Sequence, residues 1–447
     1  MTVARFPRGL YSDVRVERVS STVIAYTLGR LDEFRERDFT AAFVRVFDGD
    51  RWYYSAVSEL ASVQGELDAL ASAARPRLDI EDHPVVKRLE ANVGDFEGFA
   101  GSSVSGVDPA AKHELLRRSF SPLSDRSLVK SWRGAYMDRH TRKHILSSKG
   151  ADLRFDTQTT GLFVLFELSE GDRRFRETEF DGTTGFDELE SLEGKLSARL
   201  DQSESFLRES RPVDPGEYTV ILSPFAAGIF AHESFGHKSE ADFMIGDDAM
   251  MREWAVGSRV GPEALSIVDD GSVQGGGFTP FDDEGTRSRK TYLIRNGILS
   301  GRLHSSVTAA ALNEEPTGNG RSIGFEYEPI PRMTTTYIEP GTMSRDELFE
   351  GVDEGLFVET VLHGSGLSTF TLAPSLSYLV RHGRIAEPVN VSVITGNVME
   401  TLGMIDGLSD ELEIVRGPGG GCGKHEQYPL SVSFGGPYVR VRGMNVS

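Results

Sequence analysis

Two histidines five positions apart in one helical segment constrain the fold of this chain more than any other feature of its sequence. The segment "EYTVILSPFAAGIFAHESFGHKSEAD" (217–242) is typical of a strand that runs into a helix. In a regular α-helix, residues five apart point about 140° away from each other. His232 and His237 therefore share one side of the helix only if it is locally widened to a π-turn. Gly236 lacks a Cβ and permits such a break.

The start of this helix is marked by two residues. Ser223 suits the N-cap and Pro224 suits the first helical position, where a missing N–H costs nothing. The histidines therefore fall inside the helix rather than at its beginning.

The chemistry of the segment favours a metal site. Neutral imidazoles such as those of His232 and His237 suit zinc, and Glu233 is placed to accept a proton from activated water. Glu240 and Asp242 would then orient the imidazoles as acceptors. The structural alternative makes His232 a core residue, His237 a surface residue, and the two acids a solvated helix end.

A second motif surrounds the only cysteine, Cys422, in "RGPGGGCGKHEQYP" (416–429). A phosphate loop is excluded because position 418 is Pro and position 425 is His. Glycines let the backbone approach a site closely, which favours Cys422 as a metal ligand. A catalytic thiol with His425 as its base, or an incidental cysteine, are the alternatives.

Composition narrows the class of protein. The 447 residues suggest two or three domains, and 48 basic against 68 acidic side chains give a net charge of −20. This charge repels phosphate backbones and anionic membranes, so we expect no nucleic-acid and no membrane partner. The sequence shows no secretory leader, no long apolar run and no cysteine pair, which predicts a cytoplasmic protein.

The patterning predicts an α+β fold. We expect an N-terminal α/β domain (1–80) with hairpin strands and helices, a central α+β section (81–210), and a β-rich C-terminal domain (211–447). The last would hold mostly antiparallel strands and the metal-binding helix. The specific predictions are strands at 12–19, 22–29, 152–157 and 161–171, helices at 58–74 and 186–210, and hairpin turns at Asp48–Gly49 and Asn296–Gly297.

Taken together, "HESFGHKSEAD" and "CGKHEQ" resemble the TldD/PmbA metallopeptidase family. The likeness extends over nearly the whole chain through "YSDVRVE" (11–17), "FVRVFDGDRWYYSA" (43–56), "VDDGS" (268–272), "FDDEGTRSRKTYLIRNGILSGRLHS" (281–305) and "PRMTTTYIEPG" (331–341). Glu426, Lys238 and Ser239 depart from the usual family residues, which bears on substrate preference.

The resemblance implies a Zn²⁺ site formed by His232, His237 and Cys422, with Glu233 as general base. It also implies a two-lobed subunit of the active TldD-like type. That subunit would pair as a homodimer, or as a heterodimer with a TldE/PmbA-like paralogue, around a chamber where unfolded or small peptides are hydrolysed. The alternatives are a non-catalytic peptide-binding partner subunit and a zinc amidohydrolase of natural-product maturation.

Several further residues have two interpretations. His425 and Tyr428 are candidates to stabilise the oxyanion. Arg321 and Arg332 either bind a peptide carboxylate or pair with acidic neighbours, and we favour pairing. The acidic run 282–284 suggests a calcium site or a charged turn before a strand, and we favour the turn.

Overall fold

The computed structural model describes residues 4–417 and 421–447, which form an α+β fold as predicted. The elements of the first part are β1 (Tyr11–Thr27), β2 (Arg30–Phe47), β3 (Trp52–Val57), α1 (Val63–Ala73), α2 (Pro84–Arg88), β4 (Val93–Phe96), α3 (Pro109–Ser119), β5 (Val129–Ser147), β6 (Asp152–Glu170), β7 (Arg173–Thr183) and α4 (Glu193–Glu209).

The second part is richer in short strands. Its elements are β8 (Arg211–Pro212), β9 (Gly216–Leu222), α5 (Pro224–Ala231), α6 (His237–Ser239), α7 (Asp248–Glu253), β10 (Ile267–Asp270), β11 (Lys290–Arg295), β12 (Ile298–Leu299), α8 (Ser306–Leu312), β13 (Gly320–Arg321), β14 (Ile330–Pro331), β15 (Thr335–Ile338), α9 (Arg345–Glu350), β16 (Glu354–Val358), β17 (Val361–Gly366), β18 (Thr369–Pro374), β19 (Ser377–Arg381), β20 (Arg384–Asn390), β21 (Ile394–Asn397), α10 (Val398–Gly403), β22 (Ile405–Leu408), β23 (Glu413–Val415), β24 (Cys422–Lys424), β25 (Gln427–Leu430), β26 (Ser433–Gly436) and β27 (Val439–Val446).

Long strands dominate the N-terminal sheet, whose order is β3-β2-β1-β5-β6-β4 with β7 also paired to β6. The predicted strand structure at 12–19 and 22–29 is confirmed up to Thr27, but the two stretches are not separate strands, because β1 runs unbroken over 11–27 and pairs with β5 throughout 13–27. Likewise 152–157 and 161–171 belong to the single strand β6. Polar residues interrupt the apolar alternation at both places, but they continue the backbone ladder.

The predicted boundary near residue 80 does not mark the limit of a sheet. Strands β1–β3 precede it and β4–β7 follow it, yet all seven belong to one sheet. One face of the sheet carries α4, whose buried Leu196 and Leu200 join a hydrophobic cluster with Tyr136 and Phe166.

The C-terminal part consists of two larger sheets around α5. One has the order β12-β11-β10-β15-β26-β23, and the other runs β17-β18-β21-β27-β9-β16-β19-β20-β8 with β22 on β27. Helix α5 contacts β15, β23 and β26 of the first sheet and β9 and β17 of the second. Because its side chains are buried on nearly all sides, α5 is a fixed platform for the residues that follow it.

Both predicted hairpin turns are confirmed. Strands β2 and β3 pair antiparallel across Asp48–Gly49. Asn296 and Gly297 have φ of 51° and 76° and join β11 to β12, as a two-residue turn with positive φ at both positions requires. Helices over 63–73 and 193–209 confirm the two helical predictions. None of the helices within 4–417 or 421–447 is long and apolar enough to span a bilayer.

The two parts of the chain meet through buried ion pairs. Arg45 of β2 lies 2.8 Å from Asp13 Oδ2 and 3.2 Å from Glu284 Oε1. Glu284 also accepts hydrogen bonds from the backbone and hydroxyl of Ser306, at 2.6 and 2.8 Å. The acidic run 282–284 forms the predicted charged turn before a strand, but this turn is buried against cations of the N-terminal sheet.

Candidate metal centre

The helix that carries the histidines begins where the sequence predicted. Ser223 is extended, and its hydroxyl accepts a hydrogen bond from the Ala226 backbone at 3.1 Å, while Pro224 occupies the first turn. The Ser223 hydroxyl also donates to the Glu359 carbonyl at 2.6 Å. This cap fixes the start of α5 against the neighbouring sheet.

A π-helical turn over His232–Gly236 separates α5 from α6. The backbone N–H of His237 bonds the carbonyl of His232, five residues earlier. The two imidazole rings consequently lie on the same side, with centroids 5.3 Å apart and planes at 81°. The predicted local break in the helix is thus present in the backbone.

Gly236 has a different role from the one the sequence suggested. Its φ of −54° and ψ of −59° are ordinary helical values, so no unusual backbone conformation requires a glycine. A Cβ at this position would instead overlap the sulfur of Met333. Close packing, rather than conformational freedom, excludes a larger residue here.

Cys422 reaches the histidines from a distant hairpin formed by β24 and β25. Its Sγ lies 3.4 Å from His237 Nε2, and ligand atoms of His232, His237 and Cys422 all lie within 4.8 Å of one another. The thiol is 3% exposed. Residues 418–420 of the glycine-rich run lie outside the described residues.

The protonation states of this group are strongly coupled to one another. Burial raises the pKa of the Cys422 thiol, but the adjacent His232 and His237 outweigh this and lower the pKa to about 5. Burial lowers the pKa of His237, while hydrogen bonds to Cys422 and Glu240 raise it to about 10. Without a metal, Cys422 and His237 therefore form a thiolate–imidazolium pair at neutral pH.

The position of the His237 ring is fixed by a buried carboxylate. Glu240 Oε2 lies 3.1 Å from His237 Nδ1 and 3.1 Å from Lys424 Nζ. Burial raises the pKa of Glu240, but Lys424 and His237 lower it below its usual value. Asp242 accepts from Lys424 at 2.6 Å, and burial is the largest cause of its raised pKa. Of these two acids, Glu240 is hydrogen-bonded to a histidine and Asp242 to Lys424.

A cavity of about 650 Å³ opens beside the histidines and the cysteine. His232, Glu233, Cys422 and Tyr428 line it, together with aromatic and aliphatic side chains such as Phe434. Glu233 directly follows His232 and packs against the edge of the cavity formed by β17. The arrangement places the candidate metal-binding group and the Glu233 carboxylate beside an apolar recess.

The two oxyanion candidates have different surroundings. Tyr428 lines the cavity and is 64% exposed. His425 lies at the exposed turn between β24 and β25, with φ of 52°, and its ring centroid lies 6.1 Å from that of Phe243. His425 is not among the residues that line the cavity.

Two buried cations, Arg332 and Lys424, support the β24–β25 hairpin, and only Arg332 was considered from the sequence. Arg332 donates to the carbonyls of Cys422, at 2.7 Å, and Gln427, at 3.3 Å, and lies 4.0 Å from Glu240. Lys424 bonds Glu240, Asp242 and the Pro331 carbonyl but was not singled out. A lysine two residues after a candidate ligand was the available signal.

Profiles of known families match most of this chain. The profile of the PmbA/TldA metallopeptidase C-terminal domain matches residues 215–447, and that of PmbA/TldA metallopeptidase domain 1 matches residues 12–75. A Methanothermobacter thermautotrophicus protein named metalloprotease is 30% identical over 444 residues, which cover 98% of this chain and 95% of the relative.

Two further proteins extend the comparison. The zinc metalloprotease TldD homolog of Saccharolobus solfataricus is 33% identical over 328 residues, 71% of each chain. The crystal structure of TldE from Thermococcus kodakarensis has a TM-score of 0.76 at 16% identity and covers 98% of this chain and 96% of that chain, so it shares the fold. The chain therefore belongs to the PmbA/TldD metallopeptidase family, as its motifs predicted.

Proposed function

We propose that this protein is a zinc-dependent peptidase that hydrolyses unfolded or small peptides. The observation that carries the proposal is the convergence of His232, His237 and Cys422 within 4.8 Å, beside Glu233 and a deep cavity. Relatives that cover nearly the whole chain are named metalloproteases, and one of them is named a zinc metalloprotease.

The donor set fits zinc. Two imidazoles and one thiolate are preferred zinc ligands, and three protein ligands leave a fourth position for catalysis. Glu240 occupies Nδ1 of His237, which leaves Nε2 for a ligand bond. The buried Nδ1 of His232 has no hydrogen-bond partner among residues 4–417 and 421–447. The low pKa of Cys422 supplies a thiolate at neutral pH.

The catalytic roles follow from position. Zinc, when bound, supplies a Lewis acid that activates water and polarises the scissile carbonyl. Glu233 accepts the proton of the attacking water and passes it to the leaving amine. Tyr428 is the candidate to donate a hydrogen bond to the developing oxyanion from the cavity wall. His425, at its exposed turn, is a weaker candidate for this role.

Peptide substrate would bind as an added strand along β17. This strand is an edge of its sheet and pairs with β18 on one side. Val361 and His363 line the cavity, and a Cβ at Gly364 would lie 2.9 Å from Glu233 Cγ, so the backbone of β17 passes directly beside the proposed base. Main-chain hydrogen bonds to an edge strand bind peptides with little dependence on sequence.

Pairing with a second subunit would enclose this cavity. We propose a two-fold assembly, either with a second copy or with a TldE-like paralogue. The likeness of this fold to TldE supports the second arrangement. The single cysteine, which cannot form an internal disulfide, fits a cytoplasmic site of action.

Metal content and peptide hydrolysis together test the proposal. We expect about one zinc per chain in the purified protein, lost in Cys422→Ala. Glu233→Gln should retain zinc but lower kcat/KM on an unfolded peptide by about 10²- to 10⁴-fold. A zinc-free parent protein would favour the peptide-binding subunit instead. Zinc-loaded protein that is inactive on peptides but hydrolyses small amides would favour the amidohydrolase.

A further inference from the structure

A second cavity lies between the N-terminal sheet and the C-terminal strands, and it shares no lining residue with the cavity beside the candidate metal centre. Its volume is about 130 Å³, enough for about four waters or one small oxyanion. Arg139 and Lys143 of β5 and Thr159 of β6 line one side. Arg321 of β13 and Ser431, just after β25, line the other.

The sheet side of this cavity is a row of polar side chains on one face. Arg139 pairs directly with Thr159, and Thr141 pairs with Thr157, in the antiparallel register of β5 and β6. Residues directly opposite in such a pair project to the same face. The hydroxyls of Thr141, Thr157 and Thr159 and the guanidinium of Arg139 therefore lie on the same face of the sheet, where all four side chains offer hydrogen-bond donors.

Most ionised groups around the cavity are already paired. Arg15 Nε lies 2.8 Å from Glu17 Oε1, and Lys143 is paired with Asp283. Asp283 also accepts from the Ser322 backbone at 2.8 Å. Glu17 and Asp283, which both line the cavity, are thus each in short-range contact with another cation.

Two guanidiniums remain without a carboxylate partner. Within the described residues, neither Arg139 nor Arg321 has a carboxylate oxygen within 4.0 Å. Arg139 Nε donates to Thr141 Oγ1 at 3.1 Å. Arg321, which is 8% exposed, donates only to the backbone carbonyls of Ser431, at 3.0 Å, and Met333.

The desolvation of these guanidiniums is only partly offset by acidic groups nearby. The surrounding protein lowers the pKa of both Arg139 and Arg321, and burial is the largest cause in each case. Glu17, Glu326 and Asp283 attract Arg139 from longer distances without reversing this shift. Asp283, Asp269 and Cys422 do the same for Arg321. Because no carboxylate among the described residues touches either guanidinium, an anion placed between Arg139 and Arg321 would offset this desolvation directly.

We propose that this cavity binds a small oxyanion, a phosphate or carboxylate group, between Arg139 and Arg321. Guanidinium N–H groups match the oxygens of such anions, and the threonine hydroxyls complete the contacts. The site does not depend on the peptidase proposal, because none of its anion-contacting residues belongs to the candidate metal centre.

Binding would also fix the hairpin that carries Cys422. Arg321 holds the carbonyl of Ser431, which follows β25, and Leu430 of β25 pairs with Cys422 of β24. An anion that connects Arg139 to Arg321 would thus tie the N-terminal sheet to this hairpin. We therefore expect occupancy to stabilise the junction between the two parts of the chain.

Thermal unfolding and calorimetry of the full-length protein test the site. At constant ionic strength, phosphate should raise Tm saturably and chloride should not. The same Tm measurement with sulfate, with acetate and with one short peptide identifies the class of ligand. If the site prefers carboxylates, acetate and the peptide with a free C-terminus should raise Tm, and the peptide with an amidated C-terminus should not. Arg139→Gln should weaken phosphate or carboxylate binding at least about tenfold, since a charge-assisted contact is lost.

The matched control is Arg384→Gln, an exposed arginine on β20, which should bind the anion as the parent does. Thr159→Val removes one lining hydroxyl but keeps both guanidiniums, and it should weaken anion binding by a smaller factor than Arg139→Gln. This variant keeps the proposal testable if Arg139→Gln does not fold. Absence of any saturable effect of phosphate, sulfate and carboxylates would overturn the proposal. Equal binding by the parent and both cavity variants would overturn it as well.

Discussion

At the scale of single residues, the candidate centre depends on charges that the protein itself neutralises. Glu240 is completely buried, yet it stays ionised because His237 and Lys424 lie at 3.1 Å on either side. The same contact orients the His237 ring by using its Nδ1. A carboxylate in this position raises the basicity of a ligating imidazole and fixes its tautomer.

Replacing Glu240 should therefore weaken metal binding without removing a ligand. We expect Glu240→Gln to lower zinc affinity about 10- to 100-fold, measured by competition with a chelator. The control is Asp242→Asn, because Asp242 contacts Lys424 but not a histidine. Equal zinc affinity of Glu240→Gln and the parent would show that the carboxylate does not position His237.

At the scale of elements, the π-turn is the feature that brings the two histidines together. Helix α5 is anchored by its Ser223 cap and by burial between two sheets, so the extra residue is absorbed after Ala231 rather than by movement of the helix. Met333 packs where a side chain at Gly236 would stand. The bulge is held by packing from neighbouring strands.

Adding one methyl group at the bulge tests this account. Gly236→Ala should destabilise the protein by about 1–3 kcal/mol in denaturant unfolding, because the new Cβ overlaps the Met333 sulfur. In the double variant with Met333→Ala, the two costs should be less than additive. Gly65→Ala is the control, because this glycine lies in α1 with open space around it. We expect Gly65→Ala to stabilise by about 0.5–1 kcal/mol.

The segment that follows β4 is held to β6 of the N-terminal sheet by the carboxylate of Asp156. Asp156 of β6 accepts from the backbones of Gly98, at 2.7 Å, and Phe99, at 3.1 Å, and lies 2.9 Å from His140 Nε2. Burial raises the pKa of Asp156, but these hydrogen bonds outweigh it and lower the pKa below its usual value. The segment after β4 is thereby attached to β6.

The pH dependence of stability follows from this lowered pKa. The stabilisation is present above the unfolded-state pKa of about 3.9 and is lost as pH falls through the lower folded-state pKa. We expect Asp156→Asn to cost about 2 kcal/mol at pH 7, with the difference from the parent shrinking below pH 4. A difference that stayed constant from pH 7 to pH 3 in urea unfolding would contradict this interpretation.

At the scale of the whole molecule, the two parts of the chain are joined by ion pairs far apart in sequence. Arg45 of the N-terminal sheet lies between Asp13 and Glu284, and both carboxylates raise its pKa against the effect of burial. Lys143 makes a similar pair with Asp283. Such buried contacts couple the unfolding of one part to that of the other.

Removing one member of this network should destabilise both parts together. We expect Glu284→Ala to cost about 3 kcal/mol, because Arg45 and the Ser306 backbone lose a buried partner. Glu315→Ala, at an exposed position, should change stability by less than about 0.5 kcal/mol. Calorimetry should show one transition at lower temperature. Two separated transitions in the parent protein would show that the parts unfold independently.

Local sequence determined where the site helix starts, where one hairpin turns and which residue types could bind a metal. The Ser223–Pro224 helix start, the Asn296–Gly297 turn and the need for a break between His232 and His237 follow from neighbouring residues, because capping, turn conformation and helical period act within a few positions. Only the tertiary structure decided the lengths of β1 and β6, the burial of 282–284, the role of Gly236 and the contact between Lys424 and Glu240. These depend on residues tens to hundreds of positions apart, and such pairings are set by packing and charge neutralisation in the folded core, which no local pattern contains.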